Sequence, residues 1–290
     1  MFKKIGVYLE MIKVEHTLFA LPFAFMGAIA GAAAVFGDLP PWMDIWWIFL
    51  AMFGARSAAF GINRLADQYI DAKNPRTSQR AIPAGLLKPV EAIVFIIVSF
   101  ALFIWATIEL DPFAFRLLPI AFFFLVIYSF TKRFTWLCHV VLGLTTALAP
   151  LGGWVAVTGQ LDWRAMVFYL ALAFWTAGFD VVYACQDEEF DSKEGLYSIP
   201  SRFGLRRALW FARGFHVITA AGLILLWIIT PLGGWYLAGA LIACGILFYQ
   251  HYILSPNDMS RLQTAFFTMN IALSMIMFVF TLIDSVVKYV

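Results

Sequence analysis

Nine stretches of roughly 20 apolar residues, joined by mostly short polar connections, leave this chain few folds to choose from. They fall near 14–37, 42–62, 90–109, 113–130, 137–157, 163–183, 207–230, 233–254 and 262–284, the fourth being the shortest. Runs of this length cross the ~30 Å hydrocarbon core of a bilayer as helices, which satisfy their own backbone hydrogen bonds there. Only 13% of the 290 residues are charged and 62% are hydrophobic. A soluble domain carries about 25% charged residues, so this chain has too few to cover a water-facing surface. The expected fold class is all-α, a polytopic membrane protein of nine transmembrane helices forming one domain over residues 1–290. Segment one follows Lys3 and Lys4, but its apolar run exceeds the ~7–15-residue core of a signal peptide. With Lys13, Glu15 and His16 just before it, it reads as a helix that stays in the membrane.

The basic residues set the orientation. With the N-terminus in the cytoplasm, the inner connections hold Lys3, Lys4, Lys13, Arg64, Lys73, Arg76, Arg80, Lys88, Lys132, Arg133, Lys193, Arg202, Arg206, Arg207 and Arg261. The outer ones hold Arg116, Arg164 and Lys288. Such a bias places the N-terminus on the cytoplasmic side, here that of a plasma (inner) membrane. Basic residues divided among membrane loops do not form the stripe that nucleic acid needs, which excludes that partner class. Cys138, Cys185 and Cys244 are too scattered for a disulfide framework. His16, His139, His216 and His251 share no metal-ligand spacing, and packing or interfacial roles fit them better.

Two connections are long, 63–89 and 184–206, and both are cytoplasmic on this topology. Long connections in compact folds are often functional. In the first, Asn63, Asp67 and Asp71 are spaced i, i+4, i+8, so a helix continuing from segment two stacks them on one face. In the second, Tyr183, Asp187 and Asp191 repeat that spacing at the end of segment six. Arg56 lies seven residues before Asn63, about two turns deeper on the same face, and Asp180 lies seven before Asp187 in the same way. Basic residues, a proline (Pro83, Pro200) and a glycine (Gly85, Gly204) follow each motif. Segments two and six run in the same direction four helices apart, a weak internal repeat that sets two carboxylate faces opposite each other at a cytoplasmic mouth.

Facing carboxylate pairs repel unless positive charge lies between them. Mg²⁺, which favours carboxylate oxygen, water and substrate phosphate, supplies that charge, and Lys and Arg neutralise the remaining phosphate oxygens. The arrangement suits a diphosphate ester with its hydrocarbon tail among apolar helices. A single DxxxD at a helix end is usually just a solvated face. Two in register, each with a deeper ionisable residue, are not, since an intramembrane charge costs roughly 2.5–3.5 kcal/mol even on the lenient scale.

At these residues the sequence resembles the UbiA superfamily of intramembrane prenyltransferases. The matching motifs are Asn63-Asp67-Asp71 in NxxxDxxxD, Asp187-Asp191 in DxxxD, an RTxxRxxPxG-like tail from Arg76 to Gly85, and YxxTKR from Tyr128 to Arg133. The resemblance covers most of the chain. It implies nine transmembrane helices around a central cavity open sideways to lipid, and Mg²⁺-dependent transfer of a prenyl chain from polyprenyl diphosphate to an aromatic acid acceptor. It implies that Asn63, Asp67, Asp71, Asp187 and Asp191 hold magnesium-bridged diphosphate. Arg76, Arg80, Lys132 and Arg133 would neutralise the leaving group, Lys132 foremost. Tyr128, Tyr183 and Asp180 resemble cavity-lining residues near the reacting carbon. Arg56 is assigned to the acceptor carboxylate, with an ion pair to Asp180 or the acidic motifs as the alternative.

The segment Lys13 to Phe25 departs from the arginine-proline opening of standard 4-hydroxybenzoate enzymes. It is similar to a branch associated with the futalosine route to menaquinone, which implies a dihydroxynaphthoic acid acceptor. Glu15 and His16 either belong to that difference or anchor helix one at the interface. The competing class is a divalent-cation or acid-coupled transporter. Transporters place ionisable sites near the bilayer midplane, whereas these acids cluster at the cytoplasmic border.

Overall fold

The computed structural model describes residues 2–13 and 17–290, with side chains described for 6–13 and 19–290. Glu15 and His16 therefore lie outside the described residues. Helices α1 (Phe2–Met11) and α2 (Thr17–Val35) precede α3 (Trp42–Ala66), which α4 (Gln68–Lys73) continues after a one-residue break. Next come α5 (Pro89–Ile108), α6 (Pro112–Arg116), α7 (Leu118–Thr131), α8 (Cys138–Thr146) and α9 (Leu148–Thr158). Helix α10 (Trp163–Ala184) passes through a 3₁₀ turn (Cys185–Asp187) into α11 (Glu188–Lys193). The chain ends with α12 (Ile199–Ile229), α13 (Gly234–Tyr252), a π-helical turn (Thr264–Thr268) and α14 (Met269–Tyr289). The described residues form no strand, only one isolated bridge between Ser255 and Asp258.

The fold is thus all-helical, and six of its helical stretches are long and apolar enough to cross a membrane: Trp42–Ala66, Pro89–Ile108, Cys138–Thr158, Trp163–Lys193, Ile199–Ile229 and Thr264–Tyr289. The other three expected crossings are helical at α2, α6–α7 and α13, without meeting that length and hydropathy. Proline explains two interruptions. Pro119 and Pro150 each lack an N–H and crowd the carbonyl four residues earlier, so α6 stops at Arg116 and α8 at Thr146. Gly85 (φ 72°) and Gly204 (φ 77°) both take left-handed backbone that a Cβ would oppose. Gly204 kinks α12, separating its first turn, which closes the second acidic segment, from the long apolar stretch beyond.

Helices in lipid gain little from hydrophobic burial against one another, so close packing of small residues does that work. A Cβ on Gly27 of α2 would lie 2.0 Å from Pro150 O, and one on Gly153 of α9 would lie 2.1 Å from Ala24 O, a reciprocal backbone contact. Gly143 of α8 meets Ala173 O of α10 in the same way, at 2.1 Å. Around these contacts a core of Phe23, Trp154, Phe168 and Trp175 is fully buried. The outer faces instead show Ile97, Trp105, Phe123, Val217, Ile228 and Phe248, as lipid contact requires.

The π turn at 264–268 is held by a buried amide. Asn270 Nδ2 donates to Phe266 O at 2.6 Å, and Asn270 Oδ1 accepts from Trp175 Nε1 at 3.1 Å. Asn270→Leu would leave that indole N–H unpaired in an apolar core, at a cost of about 1–3 kcal/mol. A thermal melt in detergent is expected to register the loss.

Candidate active site

A cavity of about 620 Å³ opens at the end of the bundle where the two acidic segments meet. The i, i+4, i+8 spacing predicts Asn63, Asp67 and Asp71 on one continuing helix, and the backbone refines this. Helix α3 ends at Ala66, and Asp67 sits at the break with φ −92° and ψ 2°. The bond from Asp67 N to Asn63 O (2.9 Å) and that from Asp71 N to Asp67 O (2.7 Å) carry the i→i−4 pattern through. The three side chains therefore stay stacked, with Asn63 Nδ2 donating to Asp67 Oδ2 at 3.2 Å. The second motif is built alike: Asp187 ends the 3₁₀ turn with φ −106° and ψ 6°. Both leading carboxylates occupy the sparsely allowed bridge region, where many active-site residues are found.

Basic side chains hold three of the four acids. Asp67, only 1% exposed, accepts from Lys132 Nζ at 2.5 Å and from Arg133 Nη2 at 2.9 Å. Arg80 Nη1 reaches both oxygens of buried Asp71, at 2.7 and 2.8 Å. Arg76 grips Asp187 with Nε at 2.9 Å and Nη2 at 2.5 Å, and its Nη1 donates to the Tyr183 hydroxyl at 2.8 Å. Burial works against charge on Arg76, but the bonds to Asp187 outweigh it and raise the guanidinium above its ordinary value. Asp191 lines the cavity beside them.

The pairs cross between the halves of the chain. Arg76 follows the first motif and holds an acid of the second, and Lys73 reaches Glu194 at 2.6 Å. Tyr197 N also donates to Lys132 O at 2.7 Å. The internal repeat thus becomes one mouth tied together from both sides.

Most of the expected residues line this cavity: Arg56, Asn63, Asp67, Asp71, Arg76, Arg80, Tyr128, Lys132, Asp180, Tyr183 and Asp191. Asp187 and Arg133 stand just behind, acting through Arg76 and Asp67. The Arg56 guanidinium lies over the Phe60 ring at 4.4 Å and donates from Nη2 to Lys13 O at 3.3 Å. The Tyr128 hydroxyl donates to Ala59 O at 2.9 Å. Tyr183 stacks on Phe266 from the π turn, with ring centroids 4.1 Å apart. Beyond Arg56, Phe60 and Tyr128 lies a second cavity of about 390 Å³, walled almost wholly by apolar side chains such as Ala51, Met52, Phe124 and Leu125.

Sequence reasoning overlooked three residues here. Asn74 donates to Asp187 Oδ1 at 3.0 Å, and its position two residues before Arg76 was the available signal. Arg64, read only as a loop charge, is buried and donates to Met11 O at 3.3 Å. His139, read as packing, lines the cavity and touches Asp180 at 2.7 Å. No sequence pattern links those two, 41 residues apart. His216 and His251 bond to each other at 2.8 Å, and neither lines this cavity.

The donors suit a hard divalent cation: oxygens alone, from Asn63 and four carboxylates. Among the described residues no three acids, histidines or cysteines converge as a ready cage. Mg²⁺ takes oxygen donors of this kind together with waters and substrate phosphates.

Comparison with known proteins follows the same lines. The model of the UbiA prenyltransferase family matches residues 21–274. The 4-hydroxybenzoate octaprenyltransferase of Vibrio campbellii is 29% identical over 269 residues, covering 92% of this chain and 94% of its own. The mitochondrial 4-hydroxybenzoate polyprenyltransferase of Arabidopsis thaliana is 35% identical over 252 residues, 84% of this chain and 60% of its own. Among solved structures, an apo UbiA homolog from Aeropyrum pernix is similar with a TM-score of 0.84 at 27% identity, covering 93% of this chain and 98% of its own. A UbiA homolog from Archaeoglobus fulgidus bound to GPP and Mg²⁺ shares the fold, with a TM-score of 0.75 at 19% identity over 97% and 99% of the two chains. The family match runs from within α2 into α14, and the chain belongs to the UbiA prenyltransferase family.

Proposed function

We propose that this prenyltransferase moves a polyprenyl chain from polyprenyl diphosphate to an aromatic acid, 4-hydroxybenzoate or a dihydroxynaphthoate, for quinone biosynthesis. The observation that carries the reading is the mouth itself: two acidic motifs in register, tied across by Arg76, with an apolar chamber behind. On this reading the diphosphate head lies among Arg76, Arg80, Lys132 and Arg133, and the tail extends into the apolar cavity. Asn63, Asp67, Asp71, Asp187 and Asp191 would hold Mg²⁺, which supplies charge neutralisation for the leaving pyrophosphate when bound. On this reading Lys132 and the arginines, held at the mouth by the motif acids, would turn to the oxygens where that charge grows. The faces of Tyr183, Phe266 and neighbouring rings are suited to an allylic cation. Arg56, with a planar fork that matches a carboxylate, orients the acceptor. The basic-residue bias supports a cytoplasmic N-terminus and mouth in the plasma membrane.

The names of the relatives favour 4-hydroxybenzoate, and the opening segment Lys13 to Phe25 favours the naphthoate. Purified protein in detergent or vesicles, given labelled prenyl diphosphate and Mg²⁺, would be offered 4-hydroxybenzoate and 1,4-dihydroxy-6-naphthoate in parallel. Product from one acid, lost with EDTA and restored by Mg²⁺, is the expected result and decides the acceptor. No product from either acid would overturn the assignment.

A further inference from the structure

Joining a prenyl carbon to an aromatic ring leaves a proton to be removed, and the cavity places a carboxylate deeper than the two acidic motifs. Asp180 lies seven residues before Asp187, about 10 Å deeper along α10 at 1.5 Å per residue. That depth leaves room for one aromatic ring below the diphosphate head. Asp67, Asp71 and Asp187 are each bonded to Lys or Arg. Asp180 instead meets an imidazole: His139 Nδ1 is 2.7 Å from Asp180 Oδ2.

The other imidazole nitrogen fixes the sense of that bond. Ile199 N–H donates to His139 Nε2 at 3.2 Å, so Nε2 carries a lone pair and the ring proton sits on Nδ1. Nδ1–H therefore donates to Asp180 Oδ2, which orients the carboxylate and leaves Oδ1 for a substrate. Both phenols in the cavity are already engaged, Tyr128 with Ala59 O and Tyr183 with Arg76. Ile199 begins α12 directly after the second acidic segment, so His139 ties the carboxylate to the wall of the mouth.

We propose that Asp180 is the base that removes the ring proton of the aromatic acceptor, and that His139 is its positioning residue. The step rests on the transferase reading above. Heterolysis of the allylic C–O bond sends its electron pair to pyrophosphate. A ring carbon ortho to the hydroxyl then forms the new C–C bond to the allylic carbon. Asp180 Oδ1 takes the proton from that ring carbon, and the C–H pair restores aromaticity. The carboxylic acid passes its proton to pyrophosphate or to water at the mouth. No oxidant or reductant enters.

The test is an isotope effect. Wild type, Asp180→Asn, His139→Leu and His139→Gln would each be assayed with 4-hydroxybenzoate deuterated at both ring positions ortho to the hydroxyl, against the protiated acid. If the wild type uses only 1,4-dihydroxy-6-naphthoate, that acid deuterated at carbons 2 and 3 replaces it. Asp180→Asn has the same shape and is expected to lower kcat by roughly 10²–10⁴-fold, the usual contribution of a general base. It should also show a primary deuterium effect that the wild type lacks, because proton removal becomes rate-limiting. His139→Leu should show the same effect with a smaller drop, and His139→Gln, whose amide can both donate and accept, should recover part of the rate. Turnover of Asp180→Asn within tenfold of wild type, or a loss with no isotope effect, would overturn the proposal. If Asp180→Asn does not fold, the His139 pair decides by the same criterion. A wild type inactive on both acids removes the transferase reading and this step with it.

Discussion

Asp67→Asn is expected to lower prenyl transfer by roughly a thousandfold, the scale of losing a preorganised electrostatic group, while the protein still folds. The side chain is almost fully buried and is the meeting point of Lys132, Arg133 and Asn63. Asparagine keeps its shape and its place at the helix break but removes the charge that aligns both cations. On the proposed mechanism it also removes an oxygen anion that would face Mg²⁺. Initial rates with labelled prenyl diphosphate, alongside a thermal melt, measure both halves of the prediction. The contrasting control is Glu194→Gln, which removes the charge that pairs with Lys73. That pair is exposed, with side chains at 62% and 32%, and such pairs contribute about 0–1 kcal/mol, so a change under about twofold is expected. Equal losses in the two variants would mean that the mouth works through its overall closure and not through the buried acids.

The second large effect concerns stability and changes sign between neighbours. Gly152 and Gly153 are adjacent in α9, and in a helix interior Gly→Ala normally gains about 1 kcal/mol. At Gly152 a Cβ meets nothing within 4 Å, so Gly152→Ala is expected to raise the melting temperature in detergent. At Gly153 the same atom would lie 2.1 Å from Ala24 O and 3.1 Å from Ala28 N. These are backbone atoms of α2 and cannot rotate away, so the two helices must part. Overpacking costs about 1–3 kcal/mol in ordinary cores, and a backbone clash lies at or above the top of that range. Gly153→Ala is expected to melt well below the wild type, and Gly27→Ala to behave like it. Parallel melts of the three variants, with the monodisperse yield of each, are the measurement. Similar stability of Gly152→Ala and Gly153→Ala would show that α2 and α9 are not held at this distance.

Legibility in the sequence followed physical range. The helices were visible because lipid demands long apolar runs, and eight of the nine expected stretches coincide within several residues with described helices. The first, from 14, is described from Thr17. The acid motifs were visible because i, i+4, i+8 spacing is a local property of a helix. Pro119 and Pro150 marked the interruptions inside segments four and five, although each segment was expected whole. The breaks at Asp67 and Asp187 carried no such mark, since neither has a proline or glycine beside it. His139 with Asp180, Arg64 with Met11, and the π turn held by Asn270 all depend on contacts between distant segments. Period and composition do not encode such pairings. Helix α1 went unread for a related reason. It is too short and polar to resemble a crossing, and its end gains order from contacts made elsewhere: Met11 and Ile12 pack with Ile82 and Leu87, and Tyr8 stacks on Phe95.

The pairing of three motif acids, Asp67, Asp71 and Asp187, with neighbouring cations has a thermodynamic consequence. Arg76, Arg80, Lys132 and Arg133 cannot fully embrace phosphate oxygens while they hold Asp187, Asp71 and Asp67. An anion that draws these cations away leaves three carboxylates in need of positive charge, and a divalent cation that claims the carboxylates leaves four basic groups in need of an anion. Uptake of either partner therefore raises the affinity for the other, by the same factor in both directions. On the proposed function the mouth would work as an ion exchanger whose two loads are coupled. Prenyl diphosphate and magnesium titrated separately should each bind weakly, and together they should bind with positive cooperativity.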